Sequence, residues 1–199
     1  MGNLIKTGKE ITKNDIKQAL KLDKMVYKEE YYLTEEMCYS YYNANNEIYI
    51  MIINDLTDEI IGYMNYVPIN DEFYEKIRTG LYIDTILKAK DILKYEKNNE
   101  YNIYLSSIVI NPSYQNMGYS KLLLNALKEK IEKLYKQQIY YKRIIADVVS
   151  NEGKHICDQL KIKFVKNTNH FSKIYETNST TAKLSTLQFI QNLEKYTNN

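Results

Sequence analysis

The sequence contains no tryptophan, two prolines and two cysteines in 199 residues. Cys38 and Cys157 show no disulfide spacing pattern and follow no signal peptide, so we expect a protein of the reducing cytosol. The longest apolar run, Ile48–Ile53, is far too short to span a membrane. Lys6 stands where a myristoylation start needs Ser or Thr. We therefore expect neither a membrane segment nor a lipid anchor.

An excess of charge of either sign is also missing, because 27 Lys and Arg residues face 25 Asp and Glu residues. RNA binding needs a concentrated basic surface, so this balance argues against a nucleic-acid partner. We interpret the one basic cluster as a solvated helix face. Its members lie on and just after a predicted helix: Lys128, Lys130, Lys133, Lys136, Lys142 and Arg143.

Hydrophobic periodicity and turn residues divide the chain into strands and helices. The predicted order is a strand in Asn3–Glu10, a helix beginning at Thr12, a helix over Thr34–Tyr42, a hairpin of Glu47–Ile53 and Glu59–Val67, a mostly helical insertion over Asp71–Asn99 broken at Gly80, a strand over Asn102–Ile110, a long helix over Ser120–Gln137, a strand over Arg143–Val149, a helix over Gly153–Leu160, one or two strands within Phe164–Tyr175, and a helix over Ala182–Tyr196. Pro68 is predicted to end the second hairpin strand.

This order predicts a mixed sheet with helices on both faces, an α/β fold that some schemes class as α+β. We expect one domain over residues 1–176, followed by a C-terminal tail and helix over 177–199. Two arrangements stay open for the last helix: it packs on the sheet, or it pairs with a second copy in a homodimer.

The segment Ile108–Ser120 has the pattern of a phosphate-binding turn. A strand stops at Pro112, a tight polar loop follows, and a long amphipathic helix begins. Gly118 allows a positive φ and close backbone approach, and Asn116 tolerates the left-handed region. Free backbone N–H groups at such a helix start bind phosphate oxygens.

Within that segment, Gln115-x-x-Gly118-x-Ser120 resembles the acyl-CoA-binding signature Gln/Arg-x-x-Gly-x-Gly/Ala of the GNAT superfamily of N-acetyltransferases, with Ser at the last position. A second segment is similar to the next motif of that family. There Gly153 matches a small residue, and Leu160–Ile162 matches Leu-Gly-Phe. Lys161 replaces the helix-ending glycine, and a non-glycine residue in that conformation costs about 1 kcal/mol or more.

The resemblance implies a GNAT-like, mostly antiparallel sheet with a helical insertion over 71–99 before the CoA-binding strand. It also implies acetyl-CoA as the acyl donor. The pantetheine arm would pair with the backbone before the loop, an N–H near Ile110 would polarise the thioester carbonyl, and the pyrophosphate would sit on Asn116–Ser120. The residues it assigns to the donor are Ile108, Val109, Ile110, Gln115, Asn116, Met117, Gly118, Tyr119, Ser120, Lys121 and Asn151.

The chemistry that the resemblance implies is direct attack of an amine on the thioester, with a base and an acid. The family's strand Glu corresponds to Ser106, which we expect on one face with Tyr104, Ile108 and Ile110. Because Ser is no base unaided, a water chain or a carboxylate such as Asp84 would have to serve.

The family's acid, a Tyr on the short helix, corresponds to Cys157, which is either that acid or a buried small residue. No metal site is expected, because His155 and Cys157 lie two apart on a helix and do not face each other.

The resemblance places the acceptor groove against the first two helices and the insertion, which would act as a lid or groove wall. Those helices carry two sets of side chains: Tyr31, Tyr32, Tyr39, Tyr41 and Tyr42, and Glu29, Glu30, Glu35 and Glu36. An acidic, aromatic groove suits a cationic amine, and an ordinary solvated helix surface is the alternative. Three functions follow: an N-acetyltransferase acting on a primary amine, a non-catalytic acyl-CoA-binding module, or a toxin-type acyltransferase acting on aminoacyl-tRNA.

Overall fold

The computed structural model of the chain describes residues 2–80 and 87–198. Along the chain the elements are β1 (Asn3–Thr7), α1 (Lys13–Val26), α2 (Glu35–Ala44), β2 (Tyr49–Asn54), β3 (Ile60–Ile69), α3 (Asp71–Thr79), β4 (Glu100–Ile110), α4 (Tyr119–Lys136), β5 (Tyr140–Val148), α5 (Asn151–Gln159), β6 (Lys163–Asn167), β7 (Lys173–Glu176) and α6 (Ala182–Asn198). This order agrees with the order predicted from the sequence.

The seven strands form one sheet in the order β1-β2-β3-β4-β5-β7-β6. Only β4 and β5 pair in parallel, and every other neighbouring pair is antiparallel. One core cluster lies between the sheet and α1, α2 and α3, and a second lies between the sheet and α4 and α6. The prediction of a mixed, mostly antiparallel sheet with helices on both faces is confirmed.

The first helix begins where the sequence predicts. Thr12 caps α1 by accepting the N–H of Asp15, and the Asp15 carboxylate accepts the N–H of Thr12 at 2.7 Å. Asp15 is fully buried and also binds Lys6 Nζ at 3.0 Å. Because a buried carboxylate needs such partners, this cluster fixes α1 against β1.

Pro68 does not end β3, which continues to Ile69. In the sheet register Pro68 lies opposite Ile103 of β4, and its carbonyl accepts the N–H of Leu93 at 2.8 Å. The backbone polar groups of Pro68 therefore point away from β4, toward the side of β3 on which β2 pairs only as far as Asn65. The missing proline N–H removes no ladder bond there, which is why the prediction is wrong.

The insertion is helical only in its first part. α3 ends at Gly80, whose φ of +70° makes it a left-handed cap. Over residues 87–99 the chain forms a 3-10 turn at Ala89–Asp91 and a bridge between Ile69 and Ile92, so the predicted helix is wrong there. Tertiary bonds hold this path, because Tyr41 of α2 donates to the Leu87 carbonyl and the Asp91 carboxylate accepts backbone and side-chain donors.

The last helix packs on the sheet, which is the first of the two arrangements left open by the sequence. Phe189 and Leu193 of α6 are buried in the core with α4. Thr186 Oγ1 accepts the N–H of Tyr141 in β5 at 2.7 Å. Across the described chain, no helix has both the length and the apolar character needed to cross a membrane.

Candidate active site

Strands β4 and β5 separate halfway along their length. Their parallel pairing runs from Glu100 and Tyr140 to Leu105 and Ala146 and then stops. Beyond that point β4 continues to Ile110 alongside β3, and β5 continues alongside β7. The two strand ends therefore leave a gap whose backbone edges are not paired with each other.

The backbone of β4 presents alternate residues to that gap. Asn111 donates its N–H to Ile61 of β3 at 2.8 Å. Since N–H groups alternate in direction along a strand, those of Ile110 and Ile108 point away from β3 and into the gap. Val109, predicted to share this role, directs its backbone to β3. The Gln115 side chain donates to the Ile110 carbonyl at 3.4 Å and so holds the loop to the strand end.

A β-bulge at Ser106 gives β4 one residue more than β3. The alternation of faces changes there: Tyr104 packs in the core under α1–α3, whereas Ile108 and Ile110 pack against the core under α4 and α6. The prediction that these four residues share one face is therefore wrong. A strict period of two cannot anticipate an inserted residue.

The loop after β4 has the conformation predicted for it. Asn116 has a φ of 62° and Gly118 a φ of 85°. In the described structure, the N–H groups of residues 116–120 donate to no protein acceptor. A Cβ added at Gly118 would meet no atom within 4 Å, so the space in front of the loop is open. Unpaired N–H donors at the start of a helix are an arrangement that binds anions in proteins.

A cleft of about 840 Å³ joins the gap to this loop. Nearly all the residues predicted to bind the donor line it: Ile108, Val109, Ile110, Gln115, Asn116, Gly118, Tyr119, Ser120 and Asn151. Met117 and Lys121 are not among them; Met117 points its exposed side chain to solvent. The far walls come from the segment after α1 and from the β6–β7 loop, where His170 and Phe171 lie.

Sequence reasoning missed an aromatic group at one end of the cleft. Tyr196 of α6 and His155 of α5 both line it, with ring centroids 6.5 Å apart. Lys121 Nζ lies 5.9 Å from the centre of the Tyr196 ring. Tyr196 follows Leu193 on the apolar face of α6, which in the sequence signals only core packing.

A second cavity of about 50 Å³ opens on the α1 side of the gap. It shares Tyr27, Tyr31 and Val149 with the cleft, so the two spaces meet there. Asp23 of α1 and Asp147 of β5 line the cavity. The Tyr63 hydroxyl donates to Asp23, and burial together with that carboxylate raises the pKa of Tyr63 well above its usual value.

The two residues predicted to be catalytic do not line a common space. Ser106 lines the small cavity. Cys157 lines neither space, is 4% exposed and packs in the core with α4 and α6. Burial and the nearby Asp158 carboxylate raise the pKa of Cys157 from 9.0 to about 12. Of the two alternatives left by the sequence, the buried small residue is the one observed, and Asp84 lies outside the described residues.

The second family-like motif has the predicted register. Lys161 follows the end of α5 with a φ of 60°, the conformation of the glycine that it replaces, and Leu160 and Ile162 on either side are buried. A Cβ at Gly153 would lie 3.1 Å from Val148 Cγ1, which explains a small residue at that position.

The acidic groove expected from the first two helices is not built as predicted. Of its tyrosines only Tyr31 lines the cavity or the cleft, and its hydroxyl donates to the His170 carbonyl. Tyr41 and Tyr42 donate to backbone carbonyls of neighbouring segments instead. None of the four predicted glutamates lines either space. The carboxyl groups that line the small cavity are those of Asp23 and Asp147.

Two further expectations concern the insertion and metals. Residues 71–80 and 87–99 of the insertion line neither the cleft nor the small cavity, so within the described chain they form neither a lid nor a wall of these spaces.

Among residues 2–80 and 87–198, no three His, Cys, Asp or Glu side chains are grouped as metal ligands.

Comparison with known proteins gives a family and a fold. Residues 14–154 match the model of the Acetyltransferase (GNAT) family. No curated protein sequence matches the chain. Among solved structures, the loading GNATL domain of CurA from Lyngbya majuscula aligns with a TM-score of 0.60 at 12% identity, covering 89% of this chain and 98% of that one.

Two other solved structures have the same fold. A mosquito arylalkylamine N-acetyltransferase like 5b aligns with a TM-score of 0.57 at 11% identity, covering 88% of this chain and 99% of that one. Arabidopsis thaliana Naa50, in complex with a bisubstrate analogue, aligns with a TM-score of 0.54 at 10% identity, covering 90% and 100%. The family match extends over most of the chain and includes the gap, the loop and the start of α5: the chain belongs to the GNAT acetyltransferase family.

Proposed function

We propose that the protein is an acetyl-CoA-dependent N-acetyltransferase that moves an acetyl group to a primary amine by direct attack. The observation that carries this proposal is the gap beyond Leu105 and Ala146, which joins an anion-binding loop on one side to an acidic cavity on the other. Such a gap brings a donor and an acceptor together without a covalent enzyme intermediate.

The cleft fits coenzyme A group by group. A pantetheine arm carries amides that pair as a strand does, and Ile108 and Ile110 offer backbone groups facing the gap. A pyrophosphate needs several N–H donors, and residues 116–120 supply them at the start of α4. Two fold neighbours, the Thermoplasma acidophilum and Arabidopsis proteins, are described with coenzyme A or a CoA-containing analogue bound, which supports the same donor here.

We assign the chemical roles by position around the gap. The N–H of Ile110 holds the thioester carbonyl oxygen as negative charge develops on it. Asp147, at the end of β5, takes a proton from the ammonium group so that the nitrogen can attack the carbonyl carbon. Tyr27, where the cleft and the small cavity meet, donates a proton to the sulfur as the carbon–sulfur bond breaks, and its oxygen is reprotonated by the second proton that the nitrogen loses on becoming the amide. Ser106 lies beside the attacking nitrogen.

The two other functions left by the sequence have less support. A non-catalytic module would not need an acidic cavity at the reacting end of the gap, yet Asp23 and Asp147 line one. For a tRNA substrate, half of the basic cluster is already engaged in ion pairs, namely Lys130, Lys142 and Arg143. Lys130 pairs with Glu47, and Arg143 contacts Asp71 at 3.1 Å.

The test is amine-dependent release of the free thiol from acetyl-CoA. The wild type should release thiol faster when a primary amine is present. Asp147→Asn should lower kcat by about 100-fold or more while acetyl-CoA binding, measured by calorimetry, stays unchanged. Acetyl-CoA binding without thiol release for any amine would favour the non-catalytic module.

A further inference from the structure

Three exposed apolar side chains from separate elements line the donor cleft. Val26 at the end of α1 and Val149 just after β5 are each 44% exposed, and Phe171 of the β6–β7 loop is 95% exposed. We call these three residues the apolar mouth. It adjoins the small cavity, because Val149 lines both spaces and Val26 precedes Tyr27, which does the same. Exposed apolar groups gathered around a cleft are typical of a site that a ligand covers.

The β6–β7 loop holds Phe171 in a strained conformation. The Thr168 N–H donates to the Ser172 carbonyl at 3.0 Å, and Thr168 Oγ1 accepts the N–H groups of His170 and Ser172. In the loop that these bonds close, Phe171 has a φ of 61°, where glycine is the usual residue. A bulky side chain that is strained and almost fully exposed gains nothing in the free protein, and such positions cluster at ligand sites.

The charges around the apolar mouth favour an uncharged ligand group. Lys28 and His170 line the cleft next to it. Among the described residues that line the cleft, the only carboxylate is that of Glu152, in the first turn of α5. Asp23 and Asp147 line the small cavity instead. An acceptor would therefore turn its ammonium group toward the cavity and an uncharged group toward the apolar mouth.

A hydrogen bond between two walls of the cleft limits the kind of molecule that enters. The Tyr31 hydroxyl donates to the His170 carbonyl at 3.3 Å and so joins the segment after α1 to the loop that carries Phe171. The Tyr31 side chain thus occupies the space between the two backbones, where an extended peptide would have to pair. This contact favours a small molecule over a polypeptide.

We propose that Phe171 determines acceptor specificity: with Val26 and Val149 it covers an uncharged apolar group, an aromatic ring or an alkyl chain, of a small primary amine. This inference rests on the proposed function and names the substrate class of that site. The nitrogen reaches the gap past Tyr27 and Tyr31, which line both spaces, and the apolar group leaves water as it contacts the apolar mouth.

The experiment compares four amines at saturating acetyl-CoA: 2-phenylethylamine, ethylamine, 1,4-diaminobutane and the tripeptide amide phenylalanyl-alanyl-alanine amide. The inference expects kcat/KM for 2-phenylethylamine to exceed that for ethylamine and for 1,4-diaminobutane by about 30-fold, because the ring is buried against the apolar mouth. It also expects the free amine to exceed the peptide. Equal or faster transfer to any of the other three would overturn the inference and leave the proposed function intact. Acetyl-CoA binding without transfer to any of the four would overturn both.

Variants of Phe171 test whether this side chain makes the contact. Phe171→Ala should lower kcat/KM for 2-phenylethylamine by about tenfold and leave that for ethylamine unchanged, whereas Phe171→Leu should stay within about threefold of the wild type. Phe164→Ala is the matched control, since Phe164 is also exposed but lines neither the cleft nor the small cavity. The dissociation constant for acetyl-CoA should be the same in all four proteins. An equal loss for both amines in Phe171→Ala, or none for 2-phenylethylamine, would overturn the assignment.

Discussion

Leu105 and Ala146 are the last residues that join β4 to β5, and the backbone pairing of the two strands ends there while each continues beside its other neighbour. The separation follows from the residues beyond it. The bulge at Ser106 bends β4, and β5 runs on to the start of α5 at Asn151. A sheet that opens in this way offers strand-like pairing to a ligand without exposing an edge to other proteins.

Cys157→Ala should leave acetyl transfer unchanged. The thiol is buried in the core and lines neither the cleft nor the small cavity. Removing one buried sulfur should lower the free energy of unfolding by about 1 kcal/mol. Steady-state kinetics and urea unfolding measure the two effects. A large fall in kcat with normal stability would restore the acid role of this residue.

The stability of the protein should fall as the pH rises above 9. Burial, assisted by the Asp23 carboxylate for Cys38 and by Asp158 for Cys157, raises the pKa of each thiol from 9.0 to about 12. The unfolded chain releases these protons first, so stability present below pH 9 is lost between pH 9 and 12, at about 1.4 kcal/mol per pH unit for each thiol.

The matched control for this pH dependence is the double variant Cys38→Ala, Cys157→Ala. Its unfolding free energy, measured by urea titration at pH 8, 9 and 10, should have a shallower slope than that of the wild type. The buried tyrosines retain their own contribution above pH 10 in both proteins. Equal slopes in the two proteins would contradict the burial of the thiols.

Lys161→Gly should stabilise the protein. Lys161 has a φ of 60° and is exposed at the end of α5, so it bears the cost of a left-handed conformation; its backbone hydrogen bond to the Asp158 carbonyl does not depend on the side chain. Glycine should remove about 1 kcal/mol of that cost. Lys163→Gly is the control, since Lys163 lies exposed in the extended strand β6, where glycine only adds freedom to the unfolded chain. Thermal unfolding should shift upward for the first variant and downward for the second.

Most of the fold could be predicted from the sequence because periodicity and turn residues report on local structure. The helix start at Thr12, the hairpin and the left-handed residues Asn116 and Gly118 all follow from residues close in the chain. The errors lie where distant contacts decide. Pro68 stays in β3 because β2 has ended, and the 87–99 segment follows bonds from α2 and Asp91.

The candidate site, like the fold, could be predicted only where its residues are close in the chain. The donor loop is one continuous segment, so the sequence pattern predicts its residues together. The acidic cavity is assembled from Asp23, Asn65 and Asp147 on three separate elements, and no spacing in the sequence relates them. Cys157 shows the reverse case: the resemblance indicates an acid at a position that the structure buries in the core.

Tyr196→Ala should weaken coenzyme A binding by about tenfold. Tyr196 lines the donor cleft beside His155 and Lys121, at the start of α4 and away from the gap. If the pantetheine arm occupies the gap and the pyrophosphate the loop, the adenine ring lies toward this aromatic group, where stacking contributes about 1–3 kcal/mol. Lys195→Ala, its exposed neighbour, is the control.

Tyr196→Ala also tests whether Tyr196 contacts the adenine part of the donor or its pantetheine part. Acetyl-pantetheine has no adenine, so Tyr196→Ala should accept it as the wild type does. Kinetics with both donors measure this. An equal loss for acetyl-CoA and acetyl-pantetheine would show that Tyr196 acts only through packing.

The central claim is that the loop at Gly118 binds the donor's pyrophosphate, and calorimetry with acetyl-CoA tests it most directly. Gly118 and Gly8 both have positive φ, and neither would bring a new Cβ within 4 Å of another atom, so Gly8→Trp matches Gly118→Trp in backbone strain. The account predicts micromolar binding by the wild type and by Gly8→Trp, and none by Gly118→Trp. An absence of binding by the wild type, or unchanged binding by Gly118→Trp, would contradict the account.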